Sequence, residues 1–263
     1  MTDTDGLLAD LVAEGDELDH AVSTLDEAGW RTPTPADGWT IAHQIAHLTW
    51  TDRASVLAAT DVDAFSAELR TAMAEGGNPV DAAAAQGAAQ PPAELLAAWR
   101  RGRTAVVDAL RAVPRGQKLP WFGPPMSAAS MATARLMETF GHGQDVLDAL
   151  RISRVPTARL RHVAHIGVRT VGFAFAVHGL AAPEQPFRIE LTGPAGDLWT
   201  WGADDATNRI TAPALDFALL VTQRRHPADL RVTATGDQAR QWVPIAQAFA
   251  GPPGAGRKPG AVA

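Results

Sequence analysis

The chain has 263 residues, 46% of them apolar and 20% charged, with a net charge of -6 and a pI near 5.7. That is enough material for one large domain or two ordinary ones, and the acidic balance excludes the basic face a nucleic acid or anionic membrane would select. There is no cysteine and no tyrosine, so disulfides, thiolate ligands, a protein thiol nucleophile and a phenol acid–base group are all excluded. Any thiol chemistry must bring its thiol from outside.

The N-terminal Met1-Thr2-Asp3-Thr4-Asp5 lacks the basic, apolar character of a signal peptide, and no apolar run approaches the ~20 residues of a transmembrane helix. A soluble, cytoplasmic protein without a membrane partner is expected. Leu7, Leu8, Leu11, Val12, Leu18, Val22 and Leu25 recur at helical spacing and predict a helix from about Gly6 to Ala28, capped by Asp3 or Asp5. A Pro-rich loop leads to Gly38-Trp39-Thr40, where Thr40 suits an N-cap for a second helix carrying Ile41, Ile45, Leu48 and Val56. Asp61 to Glu75 predicts a shorter helix, interrupted at Gly76-Gly77-Asn78-Pro79, and 81–89 is alanine-rich and weakly determined. Pro91-Pro92 opens a third long helix through Leu95, Trp99, Val106 and Leu110. A Pro/Gly loop over 114–125 precedes a fourth, which starts at Ser127 or Ser130 and runs to about Arg151. Four long helices with intervening connections read most simply as a four-helix bundle.

Glu138 and His142 stand four residues apart, so on a helix they share one face, about 40° apart around the axis. Such a pair is also a common surface contact. With a histidine from the second helix it makes three ligands, which leaves a position open as a catalytic metal site requires. Spacing offers two such histidines, His43 and His47, one turn apart, and cannot separate them.

The run Gly38-Trp39-Thr40-Ile41, then Ile45-Ala46-His47-Leu48, with Glu138-x-x-x-His142 about ninety residues on, resembles the DinB-like superfamily. It is most similar to the N-terminal domain of mycothiol-dependent maleylpyruvate isomerases. That resemblance covers roughly residues 6–151 and implies His47, Glu138 and His142 as ligands of a divalent metal. His43, outside the pattern, is then left to face the substrate or shuttle protons. Members include thiol transferases that use mycothiol or bacillithiol and an isomerase, so the resemblance is less specific for the reaction than for the fold. With Trp199-Thr200-Trp201-Gly202 and Thr222-Gln223-Arg224-Arg225, the whole chain looks like a two-domain metal-binding subfamily of this group.

After a linker at 151–156 the period changes. A helix from about Ala158 to Gly179 is expected, then a strand over Phe187–Thr192, a turn, and a returning strand over Leu198–Trp201. Arg209–Ala212 and Leu230–Ala234 predict further strands, Pro213–Arg224 and Asp237–Ala250 helices. This part resembles the C-terminal domain of the same isomerase-like proteins, or a sterol-carrier-like sheet. The expected fold class is α+β: a DinB-like four-helix bundle over 1–151, a smaller mixed α/β domain over 157–252, and a flexible tail over 253–263.

His162, His165 and Arg169 form one polar stripe that can be solvated or can face a cleft, and Arg224-Arg225-His226 can close a helix or anchor a substrate carboxylate. The expected site is therefore His47, Glu138 and His142 on the metal, His43 and Arg224 in catalysis, and Trp50, His165, Arg169 and Arg225 on the substrate. The ligand set suits Zn²⁺ first and Ni²⁺ or Fe²⁺ as alternatives. Mycothiol, implied by resemblance alone, is the candidate co-substrate for a transferase or isomerase acting on a small electrophile. The alternatives are a thiol-independent Lewis-acid isomerase, cyclase or hydrolase, and a non-catalytic metal-containing binding protein. A monomer or homodimer is expected.

Overall fold

A computed structural model describes residues 4–74, 78–254 and 256–260. The chain divides into two compact units, Met1–Ser153 and Arg154–Ala263.

In the first unit, α1 (Thr4–Val22), α3 (Ile41–Thr60), α6 (Pro92–Ala112) and α7 (Ala128–Ala149) are the long helices, and each packs on at least two of the others. The shared core includes Leu18, Ile41, Ile45, Leu48, Leu95, Trp99 and Val146, all less than a tenth exposed. Each Leu or Ile so buried contributes about 1.5–3 kcal/mol relative to exposure. The first helix stops at Val22, short of the expected Ala28. Asp26 accepts a hydrogen bond from Gly29 N at 2.8 Å and starts a separate turn, α2 (Glu27–Trp30). Local side-chain capping there outcompetes continuation of the apolar stripe. Asp61 caps α4 (Val62–Ala74) through Ala64 N at 3.0 Å. Of the interruption expected at 76–79, residues 75–77 lie outside the described residues. Asn78 starts α5 (Pro79–Ala88) by accepting from Val80 N at 3.1 Å. The alanine-rich α5 packs closely on α3, where a Cβ on Gly87 would stand 2.6 Å from that of Ala46. Between α6 and α7, the short strands β1 (Lys118–Leu119) and β2 (Met126–Ser127) pair antiparallel. Ser127 then caps α7 through Ser130 N at 3.1 Å.

In the second unit, α8 (Leu160–Arg169) and α9 (Val171–Val177) replace the single expected helix. Thr170 Oγ1 donates back to the carbonyls of Ile166 and Gly167, at 3.0 and 3.1 Å, and the backbone leaves helical geometry there. Four strands, β3 (Phe187–Thr192), β4 (Leu198–Trp201), β5 (Asn208–Pro213) and β6 (Thr233–Thr235), form a sheet of order β4-β3-β5-β6. Only the β3–β5 pair in that sheet is parallel, with Ile189 beside Ile210 and Leu191 beside Ala212. These four side chains and Trp199 are buried, as the strand alternation requires. α10 (Ala214–Val221) supplies Phe217 and α11 (Asp237–Trp242) supplies Trp242, with ring centroids 5.9 Å apart. α11 ends well before the expected Ala250, because Pro244 follows two residues later and cannot continue an α-helix. Near the C-terminus, Gly260 N donates to Asp229 at 2.9 Å.

Candidate metal centre

The approach to α3 is ordered residue by residue. Thr34 N donates to the Trp39 carbonyl at 2.8 Å, Trp39 N to that of Ala36 at 3.0 Å, and Ile41 N to that of Thr32 at 3.1 Å. Gly38 turns the chain at φ +75°, which only glycine adopts without cost. The turn lays Trp39 against the site, its ring centroid 5.5 Å from that of His47 and 5.8 Å from that of His142, on which it stacks. Its indole Nε1 donates to Asp81 on α5 at 3.1 Å, so the weakly determined helix has a defined task.

His47 on α3 and Glu138 and His142 on α7 converge. Nε2 of His47 lies 3.1 Å from Glu138 Oε2, Nε2 of His142 lies 3.2 Å from the same oxygen, and the three donor atoms all fall within 4.8 Å of one another. Ligands about 2.0–2.2 Å from a tetrahedral ion stand about 3.3–3.6 Å apart, so the spacing suits one small ion. His47 is buried, and His142 and Glu138 are mostly enclosed.

A chain of hydrogen bonds decides the protonation of His142. The Thr34 hydroxyl donates to the Trp39 carbonyl at 2.9 Å, so its oxygen is free to accept from Gln44 Nε2, also at 2.9 Å. Gln44, fully buried, therefore turns Oε1 toward His142 Nδ1, 2.5 Å away. An amide oxygen only accepts, so Nδ1 carries the proton. In the neutral ring this leaves a lone pair on Nε2 aimed at the Glu138 carboxylate. Two acceptors at 3.2 Å repel unless a positive charge lies between them, either a proton on the imidazole or a metal ion. Two imidazole nitrogens and one carboxylate oxygen form a donor set that fits a divalent ion such as Zn²⁺. Burial by itself would raise the Glu138 carboxyl, but hydrogen bonds from His142 and His47 and their charges outweigh it and hold the group well below the ordinary carboxylate value.

His43 has a different task. Its Nδ1 accepts from Thr40 N at 3.3 Å and lies 2.8 Å from Thr40 Oγ1, closing the N-terminus of α3 in the position a Glu or Gln takes in a capping box. Its ring centroid is 6.3 Å from that of Trp39, and it is not among the three converging donors. Burial lowers its imidazole below the ordinary histidine value, against the pull of Asp81. Trp50, one turn beyond His47, has its ring centroid 6.2 Å from that histidine's.

Sequence reasoning missed Gln44 and a buried ion pair on the same two helices. Arg135 Nε donates to Asp52 Oδ1 at 3.0 Å, and both residues are buried. Burial pushes the Asp52 carboxyl up, against the opposing pull of the Arg135 guanidinium. A cavity of about 270 Å³ lies within the same bundle, lined by Leu11, Trp99, Arg103 and Thr139 among others; it meets Asp52 and none of the three converging residues.

The remaining expected site residues belong to the second unit. On α8, Leu160, Val163, Ala164 and Gly167 are buried, which leaves His165 and Arg169 exposed on the opposite face. Past α10, Arg224 N donates to the Leu219 carbonyl at 2.8 Å and Gln223 takes φ +57°, a helix-closing arrangement. Arg224 Nη1 also donates to the Thr222 carbonyl at 2.7 Å, and Arg225 Nη1 to that of Arg224 at 2.8 Å.

Fold and site together define a helical bundle with a two-histidine, one-glutamate cluster between two of its helices, followed by an α+β unit. Residues 11–147, more than half of the chain, match the family described as the mycothiol maleylpyruvate isomerase N-terminal domain, and the chain belongs to that family. Residues 183–235, spanning the sheet, match a family described as wyosine base formation. Two uncharacterised proteins from two strains of Mycobacterium tuberculosis are each 55% identical over 257 residues, 98% of this chain and all of theirs. Among solved structures, the mycothiol-dependent maleylpyruvate isomerase matches with TM-score 0.59 at 15% identity. A histidine-to-alanine mutant of it matches with TM-score 0.60 at 14% identity. Each match covers 88% of this chain and 92% of the other, and at that identity the likeness is one of fold. Among the described residues no helix is long and apolar enough to cross a membrane.

Proposed function

We propose that this chain is a metal-dependent enzyme acting on a small electrophilic metabolite, with a low-molecular-weight thiol of the mycothiol kind as co-substrate. His47, Glu138 and His142 hold the metal. The observation that carries this reading is the pair of imidazole Nε2 atoms converging on one Glu138 oxygen, with the His142 lone pair directed there by Gln44. Family membership supports the thiol, and the absence of cysteine agrees with a thiol that arrives as a reactant.

A divalent ion bound there supplies Lewis acidity and lowers the pKa of a thiol or water that it binds. The protein's own contributions are positional. Gln44 and Thr34 keep the His142 ring and its tautomer in one state. Trp39 covers both histidines and limits water at their faces. In this reading His43 moves protons through its Nε2.

The test begins with metal analysis of the wild type, His47→Ala and Glu138→Ala after loading with Zn²⁺, Ni²⁺ or Fe²⁺. Wild type should retain about one equivalent and both variants should lose it; undiminished metal in both sinks the site. The loaded protein is then offered a panel of electrophiles with and without thiol. Turnover that requires thiol supports the proposal. Thiol-independent conversion replaces it with Lewis-acid isomerisation or hydrolysis, and tight binding without turnover replaces it with a binding protein.

A further inference from the structure

The chain has eight Trp and eight Phe, and an unbroken series of ring contacts leads from the triad to the surface. Trp50 stands with its centroid 6.2 Å from that of His47 and 5.5 Å from that of Phe122. Phe122 meets Trp121 edge-on at 4.9 Å, and Trp121 stacks on Phe65 at 6.1 Å with planes 13° apart. These separations lie within the range of favourable aromatic pairs.

Part of this series is structural. Phe65 is buried with Ala54 and Ala58, and Trp121 packs against them, which fastens the 113–125 loop to α3 and α4. That fastening includes the inner edge of Phe122, which meets Phe65 edge-on at 5.6 Å, but it leaves Phe122 43% exposed and Trp50 only half-buried between Phe122 and His47. The loop that carries Phe122 is closed at its base by the Leu119–Met126 and Lys118–Ser127 pairs, so its tip is held in place. An apolar ring kept exposed on an anchored loop, continuous with the ring beside the triad, has the form of a binding surface.

We propose that Trp50 and Phe122 form a shelf for a flat aryl group of the substrate, whose reacting oxygen end lies at His47, Glu138 and His142. This rests on the functional reading above and narrows it, selecting aryl-bearing electrophiles over short aliphatic ones.

The experiment compares acetohydroxamate with 2-naphthohydroxamate, which share a metal-chelating head and differ in the flat group. Each is titrated by calorimetry and tryptophan fluorescence into zinc-loaded and metal-stripped full-length protein. On the loaded protein the naphthyl compound should bind at least about tenfold more tightly. Phe122→Ala and Trp50→Ala should bring the two compounds to within about twofold and leave acetohydroxamate unmoved. Phe122 is exposed, so its variant retains the fold and keeps the comparison meaningful. On the stripped protein, weak naphthyl binding that Phe122→Ala abolishes should remain. If the protein takes up no zinc, the functional reading fails and this last arm alone decides the shelf. Equal affinities for the two compounds, a naphthyl preference that survives both substitutions, or no Phe122-dependent binding to zinc-free protein overturns it.

Discussion

Asp52 and Arg135 join α3 to α7, and so, nearby on the same two helices, do His47, Glu138 and His142. The first cluster is closed: one carboxylate meets one guanidinium, and the positive charge is permanent and internal. The second converges two imidazoles and one carboxylate on one point. Buried charge is costly unless it is matched; the ion pair supplies its own countercharge, whereas the triad offers the donor set of a divalent ion. The difference separates a contact that locks two helices in register from a donor cluster with the composition of a metal site.

The most damaging way to break the comparison is to make the closed cluster resemble the open one. Arg135→Ala strands the Asp52 carboxyl in the core and should cost about 3–5 kcal/mol in urea unfolding, whereas an Asp52→Leu, Arg135→Met double variant should lose far less. Equal losses would show that the pair acts through packing alone.

The next effect lies behind the triad. Gln44→Leu removes the acceptor on His142 Nδ1 and should weaken zinc affinity by about 10- to 100-fold, as loss of a ligand-orienting hydrogen bond does elsewhere. Gln44→Glu, which also accepts from Nδ1–H, should recover most of it in a competition titration with a chelator. Failure of that rescue would contradict the tautomer assigned to His142.

Acid titration sharpens the contrast further. The folded Glu138 pKa is depressed well below the ordinary glutamate value near 4.5, so the native state binds fewer protons than the unfolded chain in the window between the two values. Its stabilisation is complete above about pH 4.5 and is lost as pH falls toward the depressed folded value. In metal-free protein, the difference in unfolding free energy between wild type and Glu138→Gln should shrink through that window; a difference independent of pH would be inconsistent with the ion-paired carboxylate. Asp52 shifts the opposite way and adds nothing of this sign.

The smallest expected change is at the cover. Trp39→Phe keeps an aromatic ring near the histidines but loses the 3.1 Å bond to Asp81, and should cost about 0.5–1.5 kcal/mol by thermal or urea unfolding. Asp81→Ala should cost about the same, and the double variant should add little if the two act as one contact.

The sequence by itself determined the long helices, because apolar residues at 3.6 spacing leave one stripe to bury, and it put Glu138 and His142 on one face by their i,i+4 spacing. It also marked Gly38-Trp39-Thr40 as a helix entry. Spacing alone could not choose between His43 and His47, which differ by one turn; the family resemblance pointed to His47. Tertiary structure gives the two different surroundings: Thr40 N–H takes His43 Nδ1 at the N-terminus of α3, while His47 lies a turn deeper, beside Glu138 of α7. The breaks at Asp26 and Thr170 were illegible for a related reason: one side-chain bond to the backbone overrides a periodic pattern that continues past it. Gln44 with His142 and Asp52 with Arg135 are pairs 98 and 83 residues apart, and no local pattern couples them. Only the packing of α3 on α7 brings them together, and with them the protonation and orientation of the donor groups.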